Sequence, residues 1–169
     1  QIDHDFGRML YALEDSGQAE NTIVIFTSDH GEMLGDHGIY WKGPYFYDCA
    51  MRVPLIIRWP ARYRAGLRTD AMVEMVDLAP TLLEAAGVPV PEGIQGRSMT
   101  PLLRGETAVH RDSVYMECYD SSVPYEVPPM ISGVRTRTHK LSYFHSQKTG
   151  ELYDLERDPG EFVNLWRDG

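Results

Sequence analysis

The sequence predicts an α/β layer followed by a small antiparallel sheet, on three observations. A helical pattern over residues 2–17 runs into a continuous β-branched strand at residues 22–26, and a helix feeding a strand is the building unit of α/β layers. That strand opens into a polar, glycine-rich loop, residues 28–48, of about 20 residues, a length more typical of functional loops than of plain connections. Beyond His110 the pattern changes to short strands with turn residues between them, as in antiparallel sheets.

Taken in order, Ile2, Phe6, Met9, Leu10 and Leu13 recur at helical spacing, while Asp5, Arg8 and Glu14 fall outside that stripe. Gly17 is the stop signal. The unbroken run at 22–26 reads as a strand buried on both faces within a βαβ layout. Residues 53–58 predict another strand, with Pro54 near its start, where a missing donor is tolerated. Residues 59–70, with Arg58 just before and Arg62, Arg64 and Arg68 within, read as a solvated connection. Asp77 is placed as a helix N-cap, Pro80 in the first turn, and Leu78, Leu82, Leu83 and Ala86 as the apolar face before Gly87. Residues 88–92 form a Pro-containing linker. The second region predicts strands at 113–119, 130–135, 139–144 and 151–155, with turn chemistry at Lys148-Thr149-Gly150 and Asp158-Pro159-Gly160.

With 169 residues and 43% hydrophobic composition, the chain can bury a core and is about one domain long. A formal charge of -9 argues against nonspecific nucleic-acid binding and against an anionic membrane surface. It does not exclude an anionic substrate, since a metal and a few cations override the global balance locally. Cys49 and Cys118, with six histidines, make no zinc-site spacing. Free buried thiols are the plainer reading, with a disulfide left open. No apolar run approaches the ~18 residues needed to span a bilayer, and no signal peptide heads the chain.

Chemistry concentrates where the first strand ends. Ligands of open α/β sheets bind at the carboxyl ends of strands, and there stand Asp29, His30 and Gly31, with Lys42 further along the loop. Strand neighbours point to opposite faces, so Asp29 and His30 reach one ion only if the backbone bends, and Gly31 supplies freedom for that. Carboxylate oxygen suits a hard cation and imidazole is tolerated beside it. Each residue also has a structural reading: Asp29 as a helix cap, His30 as a hydrogen-bonded histidine, Lys42 as an exposed lysine. Trp41, Tyr45, Phe46 and Tyr47 pack beneath the loop or line a pocket, and Arg52 anchors the loop by ion pairing.

From Thr27 the chain reads T-S-D-H-G-E-x-L-G-D-H-G-x-x-x-K, then R-V-P-L-I-I from Arg52. Later come V-D-L-A-P-T-L-L-E-A-A-G from Val76, G-I-Q-G-R-S from Gly93 and E-L-Y-D-L-E-R-D-P-G-E from Glu151. As an ordered set these motifs resemble the C-terminal portion of a sulfatase, of the alkaline-phosphatase-like superfamily. The resemblance implies residues 1–108 as the end of the large αβα domain and 109–169 as a small antiparallel α+β subdomain. It implies Asp29 and His30 as metal ligands, calcium first, with manganese or magnesium open. It implies Lys42 as the group on the sulfate ester oxygens, and His37 at the organic portion of a sulfated small molecule or glycan. A loop-stabilising hydrogen bond is the equal alternative for His37.

The family's nucleophile, a formylglycine made in C/S-x-P-x-R, has no counterpart here: Cys49 precedes Ala-Met-Arg and Cys118 precedes Tyr-Asp-Ser. The expectation is therefore part of a longer sulfuric ester hydrolase, silent on its own, whose formylglycine lies upstream. Two alternatives stand beside it: a phosphonate monoester or phosphodiester hydrolase of the same superfamily, and a non-catalytic module keeping the fold. A phosphate-binding GxxxxGK[ST] loop is absent from the sequence.

Overall fold

Helix α1, Ile2–Asp15, opens the chain in the computed structural model, which describes residues 1–119 and 129–167. The described residues form two units. One contains Gln1–Thr27, Pro54–Ala71 and Val76–His110; the other contains Ser28–Val53, Met72–Met75 and Arg111–Gly169.

In the first unit, α1 ends where the sequence indicates. Gly17 adopts φ 70, its N–H reaches Glu14 O, and the Gln18 N–H reaches Leu13 O. That pair of bonds is a Schellman closure, which needs the left-handed residue that glycine supplies without strain. Phe6 meets Phe26 edge-on at 5.4 Å. Strand β1, Val24–Thr27, pairs with β2, Leu55–Arg58, from Val24 opposite Arg58 to Thr27 opposite Leu55. Two expectations change here. The pair is antiparallel, because a long loop rather than a helical crossover joins the strands. Every β1 residue is half-buried rather than fully buried, since this sheet has two strands among the described residues.

Asp77 also departs from its expected role. It occupies the N-cap position of α3, Leu78–Ala85, but makes no side-chain cap bond. Its fully buried carboxylate instead accepts the Arg97 N–H at 2.8 Å and faces His110 Nε2 at 3.2 Å. Backbone φ −74 and ψ −18 already place Asp77 in helical space, where the side chain no longer curls onto its own helix. Gly96 is needed beside it: a Cβ there would lie 2.0 Å from Val76 O. The short α4, Thr100–Leu103, was not anticipated. The 59–70 connection is mostly solvated, yet Trp59 and Tyr63 are buried and pack edge-on at 5.3 Å.

In the second unit, β3 (Val114–Tyr119), β4 (Met130–Arg135), β5 (His139–Phe144) and β6 (Thr149–Asp154) form one antiparallel sheet in sequence order. The last strand begins two residues earlier than the sequence suggests, because Thr149 already pairs with Phe144. Lys148, at φ 55, makes the turn in its place. One face of the sheet carries Met116, Ile131, Gly133, Lys140, Ser142 and Tyr153, all buried. Against it packs the loop of residues 28–53: Phe46 on Met116 and Ile131, and Tyr47 with Ala50 on Met33 and Tyr153. Gly133 allows this approach, since a Cβ there would sit 2.8 Å from the Phe46 ring. Both cysteines are free. Among the described residues no helix is long and apolar enough to cross a membrane.

Candidate functional site

The loop that follows β1 begins with a tight polar knot. Ser28 Oγ donates to His30 O at 2.8 Å. His30 Nδ1 lies 2.7 Å from Gly31 O. A carbonyl can only accept, so Nδ1 carries a proton there, and Nε2 is the nitrogen turned away from the backbone. That nitrogen faces Asp29 Oδ2 at 3.5 Å. The Asp29 side chain is 84% exposed and that of His30 38%, so both are open to a ligand from outside. The His30 backbone N–H and the neighbouring imidazole hold the Asp29 carboxyl below its usual range.

Gly31 is required for a reason other than the expected one. Its backbone is not left-handed. A Cβ on it would lie 2.0 Å from Cys49 O, and its N–H donates to Ala50 O at 2.7 Å. Close approach of two backbones, rather than freedom to bend, selects glycine here. Cys49 and Ala50 belong to the short α2, Asp48–Met51.

Between these contacts the loop turns sharply. Leu34, Gly35, His37 and Gly38 all have positive φ, and Gly35 N–H closes on Ile39 O at 2.9 Å. His37 is stacked between Tyr47 at 3.8 Å and Phe162 at 4.8 Å, which occupies both faces of its ring. Tyr47 O–H donates to Glu151 at 3.2 Å. Burial raises the Glu151 carboxyl, and burial likewise pushes the Tyr47 phenol upward. Lys42 is exposed and makes no ion pair among the described residues.

The structure thus joins Asp29 to His30 and holds His37 within an aromatic stack. It shows no bond between Lys42 and the acid–imidazole pair. Of the aromatic run, Phe46 and Tyr47 are buried and Tyr45 half-buried, in keeping with packing beneath the loop, whereas Trp41 is 72% exposed. Arg52 does pair with Asp48, at 3.7 Å from the solvent side. Among the described residues no cluster of three or more His, Cys, Asp or Glu side chains is placed to hold a metal.

Sequence reasoning overlooked the charged group under α2. Lys140 is 1% exposed, and its ammonium contacts Asp48 Oδ1, Phe46 O at 2.8 Å and Glu161 Oε1 at 2.5 Å. Arg135 binds both Asp48 oxygens, at 3.0 and 3.1 Å. Burial alone would raise Asp48, but hydrogen bonds from Arg135 and Lys140 outweigh it and lower the carboxyl. The missed signal was parity: Lys140 occupies an inward position between exposed His139 and Leu141.

An α/β layer opening into an acid–imidazole loop, with that loop seated on a small antiparallel sheet, is the C-terminal region of the alkaline-phosphatase-like hydrolase fold. The chain belongs to the N-sulphoglucosamine sulphohydrolase C-terminal family, whose model matches residues 35–169. It is similar to the N-acetylglucosamine-6-O-sulfatase of Bacteroides thetaiotaomicron, with 39% identity over 98% of this chain and 30% of that protein. It superposes with TM-score 0.87 and 38% identity on a protein solved in complex with its substrate D-glucosamine-2-N,6-O-disulfate, covering 97% of this chain and 34% of that one. The phosphonate monoester hydrolase of Silicibacter pomeroyi superposes with TM-score 0.85 and 31% identity, over 97% and 34% of the two chains. The chain therefore spans about a third of the length of these relatives.

Proposed function

We propose that the protein containing this chain hydrolyses sulfate esters of a small molecule or glycan, and that this region supplies part of its metal and anion site. The observation that carries the reading is the facing of the exposed Asp29 Oδ2 and His30 Nε2 across 3.5 Å, with His30 Nδ1 engaged by the Gly31 carbonyl. A carboxylate oxygen and an imidazole nitrogen this close are a pair that one cation can bridge, and metal-bound histidines commonly donate their other ring N–H to a carbonyl. The donor set fits a divalent ion, calcium first and manganese or magnesium next, as a fraction of the 6–8 ligands calcium takes. When bound, the ion supplies Lewis-acid charge to an oxygen of the ester.

In this reading Asp29 and His30 hold the ion, while the Ser28 and Gly31 contacts fix the pair's orientation. Lys42 offsets negative charge on the bridging oxygen as the ester bond breaks. Its compact ammonium suffices for a single oxygen. His37, its ring faces packed, has its edge left for the organic portion of the substrate. The nucleophile, an expected formylglycine, comes from outside this chain. The domain division at 108/109 belongs to the same proposal.

The likeness to a phosphonate monoester hydrolase makes that activity the second reading. Full-length protein assayed on an aryl sulfate and on phenylphosphonate separates the two. Higher kcat/KM on the sulfate supports the proposal, and a strong phosphonate preference replaces it with the second reading.

A further inference from the structure

We infer that Lys140, with Asp48 and Glu161, is a positioning group through which the four-stranded sheet sets the geometry of the Asp29–His30 pair. None of the three touches that pair, and the inference rests on the reading of Asp29 and His30 as the reacting-site donors.

The path is continuous. The Lys140 ammonium donates to the Phe46 carbonyl and to the Asp48 carboxylate, and it lies in ion-pair contact with Glu161 Oε1, an oxygen that accepts no hydrogen bond. Glu161 uses its other oxygen to accept the Asp48 N–H at 2.7 Å. Asp48 opens α2, whose Arg52 N–H returns to Asp48 O and whose Ala50 N–H returns to Tyr47 O. Ala50 O in turn receives the Gly31 N–H, with Cys49 O pressed against the Gly31 Cα. One covalent bond further lies His30.

Three features separate this arrangement from ordinary sheet packing. Arg135 and Lys140 are cross-strand partners, and like charges directly opposite destabilise a sheet. A buried ion network seldom stabilises better than well-packed apolar residues of the same volume. Glu161 is held at φ 60, left-handed backbone that a non-glycine residue keeps only when its surroundings demand it. A buried lysine, a half-buried arginine and one strained glutamate converge on a single aspartate, and that aspartate begins the segment against which Gly31 is seated. The device orients α2.

The test uses full-length protein with Lys140→Met and, as a milder change that keeps the side-chain shape, Glu161→Gln. Hydrogen exchange at the Gly31 amide is compared with exchange at the β4–β5 amides. We expect Gly31 exchange to rise about tenfold or more in either folded variant while the sheet amides stay within about twofold, because local opening is then confined to the loop. On an aryl sulfate, kcat should fall about 10–100-fold with KM within about twofold, as for residues that orient metal ligands from outside. Lys140→Arg, which keeps the charge, should recover part of kcat. Unchanged Gly31 exchange in Lys140→Met, or in Glu161→Gln if the first does not fold, overturns the inference. So does sheet-wide loosening equal to that at Gly31. A wild-type protein inert toward sulfate esters sinks the sulfatase reading alone, and exchange at Gly31 still decides the coupling.

Discussion

The two ends of the 28–53 loop treat an aspartate in opposite ways. Asp48 is enclosed and saturated: Arg135 binds both of its carboxylate oxygens, Lys140 donates to one of them, and its own N–H is taken by Glu161. Asp29 is 84% exposed, with a serine hydroxyl, a backbone amide and one imidazole nitrogen for company. The first charge is satisfied by its own chain and so serves structure. The second is left with acceptor capacity, and beside it stands an imidazole that is itself partly exposed. A carboxylate whose protein neighbours do not complete it is the better candidate for binding something else.

The largest effect that would sharpen this contrast is expected at Asp29. Asp29→Ala should abolish sulfate-ester turnover in full-length protein while leaving the unfolding midpoint where it was. Near-normal turnover would remove the metal-ligand role. Next is Lys42→Ala, with turnover reduced about 10²- to 10³-fold, the range seen when one charge-stabilising donor is lost. The penalty should grow with the pKa of the leaving group across an aryl sulfate series. A flat dependence would break the assignment to the bridging oxygen.

Gly31→Ala follows, because it forces a methyl group onto Cys49 O. A loss of about 1–3 kcal/mol in denaturant unfolding is expected, the usual cost of overpacking a site that cannot yield. Turnover should fall with it, since the same contact seats His30. Wild-type stability in this variant would mean that α2 gives way and does not hold the loop.

The smallest effect concerns acid. Asp48 is lowered below its ordinary 3.8 by Arg135 and Lys140 despite burial. A depressed carboxyl contributes stability that is present above its unfolded value and lost as pH falls through the folded one. Melting of the protein from about pH 6 to about pH 3 should therefore show a decline below the ordinary aspartate range. In Asp48→Asn that acid-side decline should be shallower. An equally steep decline would place the acid-labile group elsewhere.

Much of the fold was legible because local chemistry and tertiary structure agree there. The helix stripe ending at Gly17, the strands at 130–135 and 139–144, and the turn at Lys148 follow from periodicity and turn residues. The departures come from contacts distant in sequence. Asp77 has every local mark of a helix cap, yet its carboxylate serves Arg97 N–H and His110. Trp41 belongs by sequence to the aromatic run that packs the loop, but it faces solvent while Phe46 and Tyr47 are buried. Of the candidate site, the adjacent Asp29 and His30 could be picked out because a strand end placed them; their mutual geometry could not.

The sequence by itself determined the order of the main helices and strands, and it marked the groups that are candidates for binding an ion or an anion. Those depend on neighbours within a few residues, where backbone sterics and hydrophobic period act directly. Only the tertiary structure decided which charges would be neutralised internally. Lys140 stands far from Asp48 in the chain, and Glu161 further still, so their meeting depends on the folded sheet bringing them together. No local preference encodes that meeting, because a buried charge becomes tolerable only once its partner is already in place.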